Sequence, residues 1–241
     1  MKKLNGKTIF ITGAAKRIGR ELALVAAQEG ANIILHYGNS KEEAFSTKSA
    51  IETLGVQCML VQADFSDPEQ GMHKLSPILS ENKIDGLVNN ASLFRQNHLL
   101  DASLTDWNTH FAVNLTIPFL LTQAYANSPV NHQGKIINML DWRALRPGRD
   151  HFAYTISKAG LASLTEASAL ALAPNFQVNG LALGAILPPS DGGNSDTIIN
   201  SVPAHRWADM EEVTDTFLFL LTAPAYLTGE IIHIDGGRHL V

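Results

Sequence analysis

Short apolar runs alternate with longer helical patterns along the whole chain, which predicts an α/β domain whose parallel sheet is covered by helices on both faces. Two further features sharpen this expectation. The first apolar run opens through a glycine-bearing turn into a helix, and two later runs end in amide or carboxylate side chains at Asn89-Asn90 and Asp141. The carboxyl ends of the strands line the binding crevice of an open α/β sheet, so polar residues placed there are candidates for chemistry. The expected architecture is one doubly wound parallel sheet of about seven strands joined by right-handed crossovers.

The first strand is expected at 8–12, from Thr8-Ile9-Phe10-Ile11, and leads through Thr12-Gly13-Ala14-Ala15-Lys16-Arg17-Ile18-Gly19 into a helix over 19–29. Gly13 and Gly19 give this turn its freedom, and Ala14 and Ala15 keep it small. The unpaired N–H groups of a helix N-terminus there suit a pyrophosphate; a plain tight βα connection would look similar. A second strand at 32–36 runs into His36-Tyr37-Gly38-Asn39-Ser40 and a helix over 41–54. The third, at 58–62, contains Cys58 as a small core residue and precedes Asp64 and a helix over 67–82. The fourth, at 85–89, ends in the turn formers Asn89-Asn90-Ala91-Ser92. One long helix over 103–127 carries Asn114, and the fifth strand, at 134–139, runs on to Asp141. A helix over 154–172 starts with Tyr154, and the sixth strand follows at 177–183. A stretch at about 188–204, rich in Ser, Gly, Asn and Asp, is expected to be a mobile lid. A helix over 211–222 and a strand at 230–234 complete the pattern.

Within Tyr154-Thr155-Ile156-Ser157-Lys158 the tyrosine and lysine lie four residues apart and share one helix face. A free tyrosine titrates at about 10. An ammonium close by favours the phenolate, so the expectation is a lowered value and a proton donor that works near neutral pH. Taken alone, the spacing also fits a solvated tyrosine beside a lysine. The glycine turn, the Asn-Asn strand end and Asp141 together favour the chemical reading.

The same crevice suits a dinucleotide. Sites selective for NAD place an acidic residue at the end of the second strand to hold the ribose 2′-hydroxyl. No carboxylate occurs between Ile33 and Lys41, whereas Arg17, Asn39, Ser40 and Lys41 offer charge and hydrogen bonds to a 2′-phosphate. Lys41 fits equally well as a surface lysine ahead of Glu42-Glu43. NADPH is therefore the expected cofactor.

With 241 residues and 45% hydrophobic content, the chain suits one domain spanning 1–241. A net charge of −5, with no basic cluster beyond Lys16-Arg17, argues against a nucleic-acid partner. Cys58 is the only cysteine, so no disulfide forms within the chain, which fits a reducing cytoplasm. No apolar run approaches the ~20 residues that span a bilayer, and Met1-Lys2-Lys3 leads into polar residues without a secretory core. The nine histidines show no pair at i, i+4 with a supporting carboxylate, so no metal is expected.

The Thr12-Gly13 to Gly19 turn, Asp64, Asn89-Asn90-Ala91, Asn114, the Tyr154/Lys158 pair and Asp235-Gly236-Gly237 occur in an order that resembles the short-chain dehydrogenase/reductase family. The resemblance covers essentially the whole chain. It implies a Rossmann-type domain with Asn114, Tyr154 and Lys158 in catalytic positions. The implied cofactor contacts are Gly13, Arg17, Ile18, Gly19, His36, Tyr37, Asn39, Ser40, Asp64, Asn90, Ala91, Ser92, Tyr154 and Lys158. The chain departs from the family at the fourth catalytic position, where Asp141 replaces the usual serine. Asn138-Met139-Leu140-Asp141, Arg17 in place of a second glycine, His36 to Ser40, and Ser92 after Asn90-Ala91 resemble the pteridine reductases. Asp235-Gly236-Gly237-Arg238-His239-Leu240 is similar to bacterial dihydromonapterin reductases.

This resemblance implies reduction of a dihydropterin to a tetrahydropterin. Hydride would reach the carbon of a C=N bond while Tyr154, supported by Lys158 and Asp141, protonates or polarises the nitrogen. Asn114 would keep the helix geometry and a water chain. Arg17, Ser92, Phe94, Asp141 and Tyr154 would surround the substrate, with Phe94 over the ring or, equally, in the core. Helices bearing Asp106, Trp107 and Phe111 and spanning 153–172 would pack in a homotetramer, or simply bury against the sheet. Arg238 and His239 would reach a neighbouring subunit's site, or belong to a frayed tail. A reductase of a 3-oxoacyl thioester or another ketone is the alternative, against which Asp141 argues because a developing oxyanion prefers a neutral donor. A non-catalytic nucleotide sensor on the same fold is more remote.

Overall fold

The computed structural model describes residues 2–187 and 195–241. The strands are β1 (Thr8–Ile11), β2 (Asn32–Tyr37), β3 (Cys58–Gln62), β4 (Gly86–Asn89), β5 (Gly134–Asp141), β6 (Phe176–Leu183) and β7 (Ile231–Ile234). They form a single parallel sheet in the order β3-β2-β1-β4-β5-β6-β7. The order reverses between β1 and β4, which opens a crevice at their carboxyl ends. Helices α1 (Arg17–Gln28), α2 (Lys41–Glu52), α3 (Pro68–Glu81), α4 (Leu104–Phe111), α5 (Ile117–Ala126), α6 (Phe152–Leu172), α7 (Ser195–Asn200) and α8 (Met210–Thr222) connect and flank the strands.

Both faces of the sheet are buried, so its strands read as unbroken apolar runs while still sorting their side chains with period two. Ile9, Ile11, Leu35, Val88 and Ile137 meet Leu22 of α1 and Phe217 of α8 on one face. Phe10, Ile34, Leu87 and Ile136 meet Leu75 of α3 and Leu121 of α5 on the other. In register, Phe10 lies beside Ile34 on one side and Leu87 on the other, at the centre of the second layer. Cys58 is buried as expected, and burial pushes its thiol up to about 12.

Helix ends follow local chemistry. Asp67 caps α3 by accepting from Gln70 N at 3.1 Å, with Pro68 in the first turn, and Asp209 and Glu212 form a capping box on α8. His151, at φ 52°, gives α6 no side-chain cap. Asn97 supplies it from a distant loop, its carbonyl and Oδ1 accepting from Phe152 N and Ala153 N, both at 3.0 Å.

The helix expected over 103–127 is divided. Between α4 and α5 the chain makes a π turn at Ala112–Thr116, with Ile117 N–H pairing with Ala112 O. The physical reason is Pro118, which has no N–H for the carbonyl of Asn114 four residues earlier. Of the lid expected at about 188–204, residues 188–194 lie outside the described residues. The remainder is anchored, with 195–200 helical, Val202 buried and Ala204 N donating to Gly236 O at 3.1 Å. No helix among the described residues is long and apolar enough to cross a membrane.

Phe10 is fully buried between two helices and two strands, so Phe10→Ala should cost about 3–5 kcal/mol. Urea unfolding should show this as a lower midpoint with an unchanged slope.

Candidate active site

The glycine turn is held from inside by polar groups that sequence reasoning assigned to ligand contact. Asn90 Nδ2 donates to Thr12 O at 2.8 Å and Gly13 O at 3.1 Å, while the N–H groups of Asn90 and Ala91 both reach Thr12 Oγ1 at 2.9 Å. His36 Nδ1 accepts from Gly13 N at 3.1 Å, and Nε2 lies 3.0 Å from Ala63 O. Those partners require a neutral ring with its proton on Nε2. His36 also stacks on Phe65 with centroids 3.9 Å apart, and burial lowers its pKa to about 4. His36 and the Asn90 amide nitrogen thus shape the cleft rather than reach into it as free polar atoms.

Gly13, at φ 63°, occupies the left-handed region and has room for no side chain, since a Cβ would lie 2.8 Å from Ala91 Cα. Gly19 has a different reason from the flexibility expected of it. It lies in α1, and a Cβ there would come within 2.4 Å of Gly13 O and 2.5 Å of Asn90 Nδ2. Arg17 also adopts a positive φ, 53°, where most residues pay about 1–2 kcal/mol.

Asn114 lies within the π turn, fully buried, with its amide wholly engaged. Oδ1 accepts from Leu93 N at 2.8 Å and Ser92 Oγ at 3.3 Å, and Nδ2 donates to Leu93 O and Ser157 Oγ, both at 3.0 Å. Its side chain therefore fixes the loop after β4 against α6 and is a positioning group.

At the carboxyl end of β5, Tyr154 Oη donates to Asp141 Oδ2 at 3.0 Å. Asp141 Oδ1 accepts from Arg143 N at 2.8 Å, with the Arg143 guanidinium 3.9 Å away. Burial raises the Asp141 pKa above the usual carboxylate range, a shift opposed by Arg143, Tyr154 and Lys158. Tyr154 and Lys158 share one helix face as expected, but the expected lowering of the tyrosine pKa is not found. Lys158 Nζ donates to Met139 O at 2.6 Å and stands 5.9 Å from the tyrosine ring centre. The phenol lies well above its ordinary pKa because burial and the Asp141 charge outweigh the Arg143 charge and the Ser92 hydroxyl. Burial also brings Lys158 down to about 8. The site thus contains a neutral phenol hydrogen-bonded to a carboxyl of raised pKa.

Phe94 stands edge-on to Tyr154, centroids 4.7 Å apart, and stacks on His151 at 4.0 Å. Being 51% exposed, it is a wall of the cleft and not a core residue. The sequence reading missed the groups behind this wall. Arg143 pairs with Asp150 at 2.9 Å, and Asp150 is also 2.9 Å from His151 Nδ1. The tail is not frayed, because buried Asp235 accepts from Gly237 N and His239 N, each at 2.9 Å, and lies 2.7 Å from His239 Nδ1. This places Arg238 over Trp142 of the same chain, 4.3 Å from the ring centre. The signals for these residues were the arginines beside Trp142 and after Gly237, which meet only through tertiary folding.

A cleft of about 560 Å³ runs across these parts. It is lined by Gly13, Arg17, Ile18, Gly19, His36, Tyr37, Ser40, Asp64, Asn90, Ala91, Ser92, Phe94, Asp141 and Tyr154, all expected, and also by Lys16. Asn39 and Lys41 are exposed outside this lining, and Asn114 and Lys158 lie beneath it. The donor set fits a phosphorylated dinucleotide: Lys16, Arg17 and Ser40 line the cleft, the end of β2 itself carries no carboxylate, and Lys16 also pairs with Glu43 at 3.4 Å.

Residues 13–239 match the short-chain dehydrogenase family model described as enoyl-(acyl carrier protein) reductase. The 3-oxoacyl-[acyl-carrier-protein] reductase of Synechocystis sp. is 31% identical over 243 residues, covering 98% of both chains. The structure of FolM alternative dihydrofolate reductase 1 from Brucella canis complexed with NADP superimposes with a TM-score of 0.86 at 29% identity, covering 99% of this chain and 96% of that one. A blue fluorescent protein from a metagenomic library, in complex with NADPH, gives 0.90 at 30% identity, covering 98% of this chain and 99% of that one.

His36 carries its own pH signature. Because its folded pKa of about 4 lies below the unfolded value of 6.5, the neutral ring contributes stability above pH 6.5 that is lost as pH falls through 4, at most about 3 kcal/mol. The thermal midpoint should fall between pH 6.5 and 4.5, and His36→Asn should flatten that part of the profile. An equal acid fall in the variant would assign it to other groups.

Proposed function

The chain belongs to the short-chain dehydrogenase/reductase family, and we propose that within it the protein is an NADPH-dependent pterin reductase converting a dihydropterin to a tetrahydropterin. The observation that carries this reading is the 3.0 Å hydrogen bond between Tyr154 and Asp141. An imine nitrogen is basic enough to be protonated before or as hydride arrives, whereas a ketone oxygen is not and develops an oxyanion, which a neighbouring carboxylate opposes. The likeness to the Brucella FolM structure supports the same reading.

When bound, NADPH supplies hydride to the carbon of a C=N bond. Gly13, Ile18 and Gly19 would form the turn beneath the pyrophosphate, and Lys16, Arg17 and Ser40 would meet the 2′-phosphate. Tyr37 and Asp64 would border the adenosine. Lys158 would hold the nicotinamide ribose, and its charge would limit the cost of a transient phenolate. Tyr154 would pass its proton to the ring nitrogen once Asp141, whose pKa burial raises, is protonated and the hydrogen bond between them turns round, so that the carboxyl proton replaces the one the phenol gives up. Phe94 would cover the flat ring, with Ser92 and Arg17 at its polar edge. Asn114 keeps the loop and helix in place, and the carbonyl that Pro118 leaves without an α-helical partner would anchor the proton-supplying water chain.

The exposed apolar groove of Leu115, Phe119, Gly160, Leu164 and Ala167 supports assembly with further copies as a homotetramer. Trp107 and Phe111 instead stack on each other within the chain, at 4.4 Å. The protein would act in the cytoplasm. A second reading, reduction of a 3-oxoacyl thioester or another ketone, is favoured by the Synechocystis relative. A sensor without catalysis would leave the Tyr154 and Lys158 arrangement without purpose.

NADPH oxidation should be compared with dihydrobiopterin, dihydromonapterin, dihydrofolate and an acetoacetyl thioester. At least one dihydropterin should exceed the thioester in kcat/KM by about tenfold or more; turnover of the thioester alone would overturn the reading. Asp141→Ser should shift the ratio toward the thioester. Tyr154→Phe should lower kcat by about a hundredfold or more while NADPH still binds.

A further inference from the structure

Two guanidinium groups converge on one indole beside the cleft. Arg238 and Arg143 stand 4.3 and 4.8 Å from the centre of the Trp142 ring. Arg143 is neutralised by Asp150 at 2.9 Å, although its Nε is buried without a hydrogen-bond partner. Arg238 forms no ion pair or side-chain hydrogen bond among the described residues, though it is partly buried and lies within electrostatic reach of Arg143, Asp141 and Asp150. Burial and the Arg143 charge both disfavour its ionised form. A positive charge kept in such a place by a pinned tail leaves unmet demand for an anion.

Residues 143–149 carry three arginines between Asp141 and Asp150, and Asp235 lies on the tail beside Arg238. Arg146 Nη1 also donates to His239 O at 3.5 Å, linking that loop to the tail. A second cavity of about 630 Å³ borders Trp142 and Arg238 and is also lined by Asn200, Ser201, Pro203 and His205. Trp142 directly follows Asp141, so its backbone lies about 3.8 Å further along the chain. The side chain of a substrate reacting at Tyr154 and Asp141 would reach this cavity by passing Trp142.

We propose that Arg238 and Trp142 form a subsite for an anionic group, carboxylate or phosphate, on the side chain of the substrate. Arg238 supplies a charged fork and Trp142 a flat apolar surface for the connecting atoms. The proposal rests on the pterin reading and deepens it by naming a charged tail as the feature selected.

Calorimetric titration of the NADP⁺-loaded protein tests it without turnover, using folate for the carboxylate tail, a pterin side-chain monophosphate for the phosphate, and biopterin as the uncharged probe. One anionic probe should bind at least about tenfold more tightly than biopterin, with an advantage that shrinks as salt rises; the tighter arm identifies the anion. Arg238→Gln should reduce that ratio at least about tenfold, and Arg238→Lys should restore part of it. Equal affinities, or a ratio unchanged in Arg238→Gln, would overturn the subsite. If no pterin binds, the pterin reading fails instead. The subsite is then judged with p-aminobenzoylglutamate and inorganic phosphate alone: binding that Arg238→Gln removes upholds it, and no such binding overturns it.

Discussion

The hydrogen bond from Tyr154 to Asp141 joins a buried phenol to a half-buried carboxyl, and a carboxyl partly removed from water is tolerated only when its surroundings satisfy it. Much of the site meets that requirement. The Arg143 amide binds the second carboxyl oxygen, its guanidinium adds positive charge, and Asp150 holds that guanidinium in turn. Lys158 supplies a further cation but is tethered to Met139 O, on the strand that carries Asp141. The consequence is a phenol that keeps its proton and a carboxyl that takes one up more readily than an exposed aspartate.

A second layer of polar groups turns inward to hold this centre in shape. Asn90 and His36 secure the glycine turn, Asn114 secures the loop after β4, and Asn97 closes the start of the helix that carries Tyr154 and Lys158. Each offers a fixed set of donors and acceptors that a buried backbone must satisfy. These residues build the cleft without contributing reactive atoms, leaving Arg17, Ser40, Ser92, Phe94 and Tyr154 to face it.

The strands and their order of appearance were legible because burial on both faces leaves continuous apolar runs, and their ends marked Asp64, Asn90 and Asp141. The Tyr154/Lys158 spacing was legible for the same local reason. The direction of the lysine was not, since its acceptor is a carbonyl of β5 that helix periodicity does not reveal. The expected lowering of the Tyr154 pKa failed accordingly, because burial and a carboxylate at 3.0 Å raise it while the ammonium turns to Met139 O. Pro118 was a readable sign that the long helix could not stay regular at Asn114. The meeting of Trp142 with Arg238 depends on Asp235 folding the tail back, a contact without periodic signature.

The protonation state of Asp141 tests the account most directly. Infrared difference spectra of the NADP⁺-loaded protein across pH, with Asp141→Asn to assign the band, would follow the carboxyl stretch of this group alone. The account predicts a band that titrates above the ordinary aspartate range and is absent from the variant. An Asp141 carboxylate ionising in the ordinary range would contradict it, leaving Tyr154 without the proton source on which the proposed pterin reduction is built.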